Sequence, residues 1–147
     1  MEPLFTCIYT VDEIPALSAK IFDFILKNNI HLACFYGDLG SGKTTFFQGI
    51  MKHISPDLIA TSPTYTYVNE YRFKDRFIWH FDLYRVQNQE ELIDLGLIDY
   101  FSRKDGISFV EWPEKIEDSF YTIRSKLILT FHHTKEKNQR ALVVYKN

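Results

Sequence analysis

The stretch Gly37-Asp38-Leu39-Gly40-Ser41-Gly42-Lys43-Thr44 fits the pattern G-x-x-x-x-G-K-[ST] at every position. The preceding run, Ile30–Tyr36, is apolar on both faces, as a central strand would be. Behind the stretch, apolar residues recur at helical spacing up to Ser55-Pro56. A strand, a glycine-rich turn and a helix in this order predict a phosphate-binding loop.

Each residue type in this glycine-rich loop (Gly37–Thr44) suits the binding of phosphate. Glycines let the backbone turn successive N–H groups towards an anion, and the helix that follows contributes about half a positive charge at its N-terminus. The Lys43 ammonium can reach the β and γ phosphates of a nucleotide, and the Thr44 hydroxyl can bind Mg²⁺. A turn that only caps a helix would need neither the lysine nor three glycines, so phosphate binding is favoured.

Patterns outside the loop predict a small α/β domain. A capping box at Thr10–Glu13 opens an amphipathic helix. Tyr65–Phe73 and Arg76–Asp82 flank Lys74-Asp75 and predict a hairpin, so the sheet is mixed. We expect a three-layer, P-loop NTPase-like α/β fold with a mixed central sheet and a C-terminal β-hairpin, in one domain over residues 1–147. The other predicted elements are strands at Phe5–Tyr9 and Ile107–Glu111, a helix at Gln89–Leu95 between Asn88 and Gly96, and a hairpin of Lys126–His132 with Arg140–Tyr145.

Composition narrows the class of protein. The chain has 147 residues, of which 46% are hydrophobic and 16% aromatic, so most of it is not disordered. The net charge of −2 gives no basic excess to hold nucleic acid directly.

No apolar stretch is long enough to span a membrane, and Met1–Phe5 lacks the pattern of a signal peptide. We expect a cytoplasmic protein without membrane contact, with Cys7 and Cys34 as core residues in a reducing compartment.

Two carboxylates close apolar runs and are candidates for metal and water chemistry. Asp82 ends the run from Phe77, and Glu111 ends the run from Ile107. A phosphate-binding loop requires a carboxylate at the end of a neighbouring strand to hold the Mg²⁺ shell, which favours function over a solvated strand end. Thr61-Ser62-Pro63-Thr64 is compatible both with a switch segment, in which a threonine closes on the γ-phosphate and Mg²⁺, and with a polar turn that contains a proline.

The sequence also bears on which nucleotide is bound and on the roles of the histidine and tryptophan side chains near the predicted site. Guanine-specific proteins with this loop use an Asn-Lys-x-Asp segment after a later strand, and the sequence contains none. We therefore expect ATP with Mg²⁺. His80 is expected to be packed or hydrogen-bonded rather than a ligand. Trp79 and Trp112 could stack on a base, but in a chain so rich in aromatic residues core positions are favoured.

Four blocks of residues occur together, in order and at characteristic spacings: Gly37–Phe46, Ser62–Thr66, His80–Arg85 and Glu111–Pro113. With these blocks the chain closely resembles the bacterial TsaE (YjeE-type) family of small P-loop ATPases, over essentially its whole length. Members of this family take part in making threonylcarbamoyladenosine in tRNA. A phosphate loop alone is shared by many families, but the four blocks together are specific. Ser41 stands where alanine is commoner, and it still presents a backbone N–H.

The resemblance implies roles for the residues of a nucleotide site. Thr44 and Glu111 would hold Mg²⁺, and Asp82 would orient the attacking water or the metal shell. Lys43, Asp82 and Glu111 form the implied catalytic set. Ser62-Pro63-Thr64 would be a nucleotide-sensing switch. The implied nucleotide-binding residues are Glu13, Leu39, Gly40, Ser41, Gly42, Lys43, Thr44, Thr45 and Arg140.

The resemblance also implies partners. Family members act with the TsaD–TsaB pair, in which TsaD carries the threonylcarbamoyl transfer and TsaE resets the complex using ATP. Contact with tRNA would then be indirect, through the complex. The sequence places no arginine obviously over the γ-phosphate, and such a finger is worth ~10³–10⁵ in rate in other NTPases. We therefore expect slow ATP hydrolysis by the chain alone and faster turnover in the assembled complex.

Other functions fit the sequence less well. A small-molecule kinase of the P-loop class would need an arginine-rich lid, and the arginines here are scattered. A binding module that holds ATP only to stabilise its structure, without hydrolysing it, would not need the two carboxylates Asp82 and Glu111 near the metal. An ABC-type cassette is excluded because the chain is too short and lacks the signature glycine-rich helix.

Overall fold

The computed structural model describes residues 1–63 and 66–147, which build helices around one seven-stranded sheet. Short 3-10 segments at Val11–Glu13, Ile98–Ser102 and Pro113–Phe120, the last of them kinked at Ile116, complete the described secondary structure. None of the helices in these ranges is long and apolar enough to cross a membrane. The strands and α-helices are β1 (Phe5–Thr10), α1 (Ile14–Lys27), β2 (Leu32–Tyr36), α2 (Lys43–Ile54), β3 (Val68–Phe73), β4 (Arg76–Asp82), α3 (Gln89–Asp94), β5 (Gly106–Glu111), β6 (Lys126–His133) and β7 (Gln139–Lys146).

The sheet is mixed, with the strand order β1-β7-β6-β2-β5-β4-β3. Its four central strands, β6, β2, β5 and β4, run parallel. The outer strands are antiparallel to their neighbours, and β6 with β7 forms the predicted C-terminal hairpin. Because the carboxyl ends of parallel strands meet at one edge, the residues that follow β2, β4 and β5 lie close together there.

Two apolar clusters cover the two faces of the sheet. On β2, Ala33 and Phe35 belong to the cluster beneath α1 and α2, whereas Leu32 and Cys34 belong to the cluster beneath α3 and the two later 3-10 segments. This confirms the prediction of a central strand that is buried on both faces. Cys34 is buried as expected, and burial raises the pKa of its thiol to about 12. Cys7 is only half-buried because β1 is an edge strand.

Several predicted boundaries differ from the structure by a few residues. Of the strand expected over Tyr65–Phe73, the structure has Val68–Phe73, since Tyr67 has a φ of 62° and cannot continue an extended strand, and Tyr65 lies outside the described residues. The strand expected from Ile30 begins two residues later, because the Ile30 N–H donates to Ile25 O at the end of α1. The helix expected to reach Leu95 ends one residue earlier, where Leu95 is its C-cap.

Candidate functional site

The glycine-rich loop joins β2 to α2 and depends on glycine at two positions. Gly42, the N-cap of α2, has a φ of 105°, which side-chain-bearing residues rarely adopt. Gly37 has a φ of 153°, and a Cβ there would lie 2.8 Å from the Phe131 carbonyl oxygen on β6. The loop can therefore pack closely against the sheet only with these glycines in place.

The N-terminus of α2 presents backbone N–H groups to this edge of the sheet. No side chain of the described residues caps the helix. The Phe46 N–H donates to Gly42 O at 2.9 Å, so the preceding N–H groups, from Lys43 to Thr45, have no intrahelical acceptor. A helix that begins in this way attracts an anion through its N–H groups and its dipole.

A cavity of about 340 Å³ lies over this helix end and collects most of the predicted site residues. Glu13, Ser62 and Pro63 are not among its lining residues, and Thr64 lies outside the described residues. The Glu13 carboxylate instead accepts a hydrogen bond from the Thr10 N–H at 3.0 Å, in the predicted capping box. The predicted residues that line the cavity are Leu39, Gly40, Ser41, Gly42, Lys43, Thr44, Thr45, Asp82, Glu111 and Arg140.

Lys43 is held at the base of the cavity. Its side chain is buried, and its ammonium donates a short hydrogen bond to Gly37 O. The same ammonium lies 3.5 Å from the centre of the Trp112 indole, a cation–π contact. Burial lowers the pKa of Lys43, and the nearby Glu111 carboxylate opposes that effect. The loop thus positions a desolvated cation beside the free N–H groups of α2, where an anion would compensate its charge.

Glu111 and Thr44 form a hydrogen-bonded pair across the cavity floor. The Thr44 hydroxyl donates to Oε1 of Glu111 at 2.8 Å, and the carboxylate is 2% exposed. Asp82 is the register neighbour of Glu111 and is half-buried, which raises the pKa of its carboxyl. Asp82 and Glu111, the two strand-end carboxylates predicted from the sequence, therefore lie at the same cavity as the glycine-rich loop.

His80 contacts the Glu111 carboxylate through the oxygen Oε2. Its ring is fully buried, stacks on Phe47 with ring centres 4.0 Å apart, and places Nε2 at 2.5 Å from Glu111 Oε2. The prediction of a packed, hydrogen-bonded histidine is confirmed. Its contact fixes the orientation of the carboxylate that faces Thr44.

Replacing His80 with phenylalanine is expected to lower the free energy of unfolding by about 3 kcal/mol, because a buried carboxylate loses its partner. Urea-induced unfolding measures the change. His53→Phe is the matched control: His53 pairs with exposed Asp23 at 3.4 Å, so its loss is expected to cost less than about 1 kcal/mol. Equal losses in the two variants would contradict the role given to His80.

Arg140, on β7, ties the C-terminal hairpin to the glycine-rich loop. Its Nη2 donates to Gly40 O at 3.2 Å, and its Nη1 donates to Lys137 O and Gln139 O at 2.9 and 2.7 Å. These contacts place β7 and its preceding turn in the wall of the cavity. Both Nη1 and Nη2 thus donate to backbone carbonyls, whereas the buried Nε has no hydrogen-bond partner among the described residues.

Several lining residues were not predicted from the sequence. Trp79 is a core residue as expected, whereas Trp112 is only partly buried: it packs against the edge of a core cluster and also lines the cavity. Trp112 has a φ of 59°, which turns the chain at the end of β5 and lays the indole against Lys43 and Tyr84. Its position directly after Glu111, a predicted site residue, was the signal in the sequence that could have placed Trp112 at the cavity. The remaining unpredicted lining residues are Tyr9, Val11, Ile14, Tyr84, Lys137 and Asn138.

Comparisons with known proteins identify the family of the chain. The model of the family "Threonylcarbamoyl adenosine biosynthesis protein TsaE" matches residues 8–142. The tRNA threonylcarbamoyladenosine biosynthesis protein TsaE of Haemophilus influenzae is 41% identical over 112 residues, which are 73% of this chain and 70% of that protein. The protein of the same name from Bacillus subtilis is 38% identical over 93 residues, 63% of this chain and 57% of its own length.

A solved structure shares the fold. The crystal structure of Bacillus subtilis YdiB superposes with a TM-score of 0.65 at 21% identity, covering 100% of this chain and 90% of that one. The family match extends over nearly the whole chain and includes the glycine-rich loop, both strand-end carboxylates and Arg140. The chain belongs to the TsaE family of threonylcarbamoyladenosine biosynthesis proteins.

Proposed function

We propose that the chain binds and hydrolyses ATP with Mg²⁺ as a component of the tRNA threonylcarbamoyladenosine system, acting with the TsaD–TsaB pair. The observation that carries the proposal is the convergence, in one cavity, of the free N–H groups of α2, the Lys43 ammonium and the Glu111–Thr44 pair. A desolvated cation next to an uncapped helix end is suited to a polyphosphate.

The residues at the cavity floor fit a magnesium ion. The described residues contain no group of three or more His, Cys, Asp or Glu side chains that could hold a metal. Magnesium usually keeps several waters and takes only one or two carboxylates besides phosphate oxygens. The Thr44 hydroxyl and the Glu111 carboxylate, 2.8 Å apart, supply such a donor set. The ion would neutralise charge on the phosphates.

The remaining chemistry falls to Asp82 and Lys43. In hydrolysis a water oxygen bonds to the γ-phosphorus while the bond to the bridging oxygen breaks, releasing ADP and phosphate. Asp82 lines the cavity on the strand next to Glu111 and can accept a hydrogen bond from that water. Lys43 would stabilise the negative charge on the phosphate oxygens.

The position of Arg140 supports dependence on a partner. Of the described residues that line the cavity, it is the one arginine, and its guanidinium is hydrogen-bonded to Gly40, Lys137 and Gln139 carbonyls. An arginine over the γ-phosphate accelerates NTP hydrolysis by ~10³–10⁵ elsewhere. A partner that supplied such a charge would raise the rate.

Phosphate release measured with and without TsaD–TsaB tests this function. We expect slow release by the chain alone and at least about a tenfold increase with the partners, because a supplied charge lowers the barrier. Equal rates would contradict the proposed partner. Release of inorganic phosphate without any acceptor also separates this function from that of a small-molecule kinase.

A further inference from the structure

The hydroxyl of Tyr9 is an unexplained polar group at the cavity. The side chain, on β1, is 3% exposed, and its oxygen has no hydrogen-bond partner within residues 1–63 and 66–147. Buried hydroxyl groups are nearly always hydrogen-bonded in folded proteins. Tyr9 lines the same cavity as Lys43 and Glu111.

Its surroundings fix the hydroxyl beside the glycine-rich loop. The Tyr9 ring meets the Phe46 ring edge to face, with centres 6.3 Å apart. A Cβ on Gly42 would lie 3.6 Å from the hydroxyl oxygen, so the oxygen borders the start of α2. Arg140 is the register partner of Tyr9 on β7 and flanks the same glycine.

The strand order indicates which part of a ligand would reach this hydroxyl. Asp82 and Glu111 end β4 and β5, on one side of β2, whereas Tyr9 lies on β1, on the other side. Phosphate hydrolysis would take place near the carboxylates, so Tyr9 faces the portion of the ligand away from the γ-phosphate. Burial also raises the pKa of the Tyr9 phenol to about 12, so at neutral pH the group retains its proton and can donate it.

We propose that the Tyr9 hydroxyl donates a hydrogen bond to an oxygen of the bound nucleotide, on a phosphate or on the ribose. The inference rests on the proposed function, because it takes the ligand of the cavity to be ATP. It makes Tyr9 a nucleotide-binding residue and gives the buried hydroxyl its missing partner.

The test is Tyr9→Phe, with Tyr121→Phe as the matched control, since Tyr121 is 76% exposed and does not line the cavity. Calorimetry should show that Tyr9→Phe raises the Kd for MgATP about tenfold, and Tyr121→Phe should leave it unchanged. Without nucleotide, the midpoint of thermal unfolding of Tyr9→Phe should be equal to or above that of the unsubstituted chain, because the variant no longer buries an unpaired hydroxyl.

Binding of tripolyphosphate shows which part of the nucleotide is contacted. If Tyr9→Phe loses affinity for tripolyphosphate as well as for ATP, the contact is to a phosphate. If it loses affinity for ATP alone, the contact is to the ribose.

Two results would overturn the inference. Unchanged ATP affinity in Tyr9→Phe, with normal binding by the unsubstituted chain, would remove the contact and leave the proposed function standing. A lower unfolding midpoint, with or without weaker binding, would show that the hydroxyl stabilises the fold. If the unsubstituted chain bound no ATP, the proposed function itself would fail, and this inference with it.

Discussion

Lys43→Ala is expected to weaken MgATP binding at least about 100-fold. The ammonium is buried beside the free N–H groups of α2, so its charge acts on a phosphate with little screening by water. A hydrogen bond to a charged group contributes about 1.5–3 kcal/mol, and Lys43 can serve more than one phosphate oxygen. Isothermal titration calorimetry at constant ionic strength measures the change in Kd.

The control for Lys43→Ala comes from the same helix. Lys52 lies in the last turn of α2 and is exposed, so Lys52→Ala removes an equal charge far from the loop. We expect Lys52→Ala to retain its affinity for ATP, and both variants to keep the free energy of unfolding within about 1 kcal/mol. An ATP affinity that survives in Lys43→Ala would contradict the assignment of the cavity to a polyphosphate.

Glu111→Gln is expected to slow ATP hydrolysis at least about 100-fold. Glutamine keeps the shape of the side chain and can still meet the Thr44 hydroxyl and His80, so the site should remain folded. What it removes is the negative charge that would hold the metal ion, and losing one such electrostatic group costs roughly 10²–10³ in rate elsewhere. Single-turnover measurement of phosphate release isolates the chemical step from binding.

The nearby surface carboxylate gives a control for Glu111→Gln. Glu114 is exposed, does not line the cavity and lies three residues further on, so Glu114→Gln should hydrolyse ATP at the normal rate. We expect ATP affinity in Glu111→Gln to change less than about tenfold, because the N–H groups of α2 and Lys43 remain. A normal single-turnover rate in Glu111→Gln would rule out the proposed role of Glu111.

Much of the site could be predicted because its parts are set by local chemistry. The glycine-rich loop carries its own conformational requirement, and Asp82 and Glu111 are brought together by a general property of parallel strands. The capping role of Glu13 is likewise a local pattern, and the structure shows it directly. These features depend on neighbours in the sequence or on one simple rule of sheet geometry.

The parts that escaped prediction depend on distant pairings. Nothing local indicates that β1 pairs with β7, and without that pairing Tyr9 cannot be placed opposite Arg140. The position of Trp112 follows from a left-handed backbone conformation that is uncommon for a bulky residue. In a chain with so many aromatic residues, composition alone cannot separate the few that line a cavity from those that fill the core.

The wall of the cavity has a consequence for how the protein is made. Tyr9 and Arg140 lie far apart in the sequence, yet β1 pairs with β7 and both side chains border Gly42. During synthesis on the ribosome the glycine-rich loop emerges early, but this wall cannot form until the hairpin of β6 and β7 has left the exit tunnel. A nascent chain that has already formed the glycine-rich loop therefore lacks this wall of the cavity until β7 is available to pair with β1.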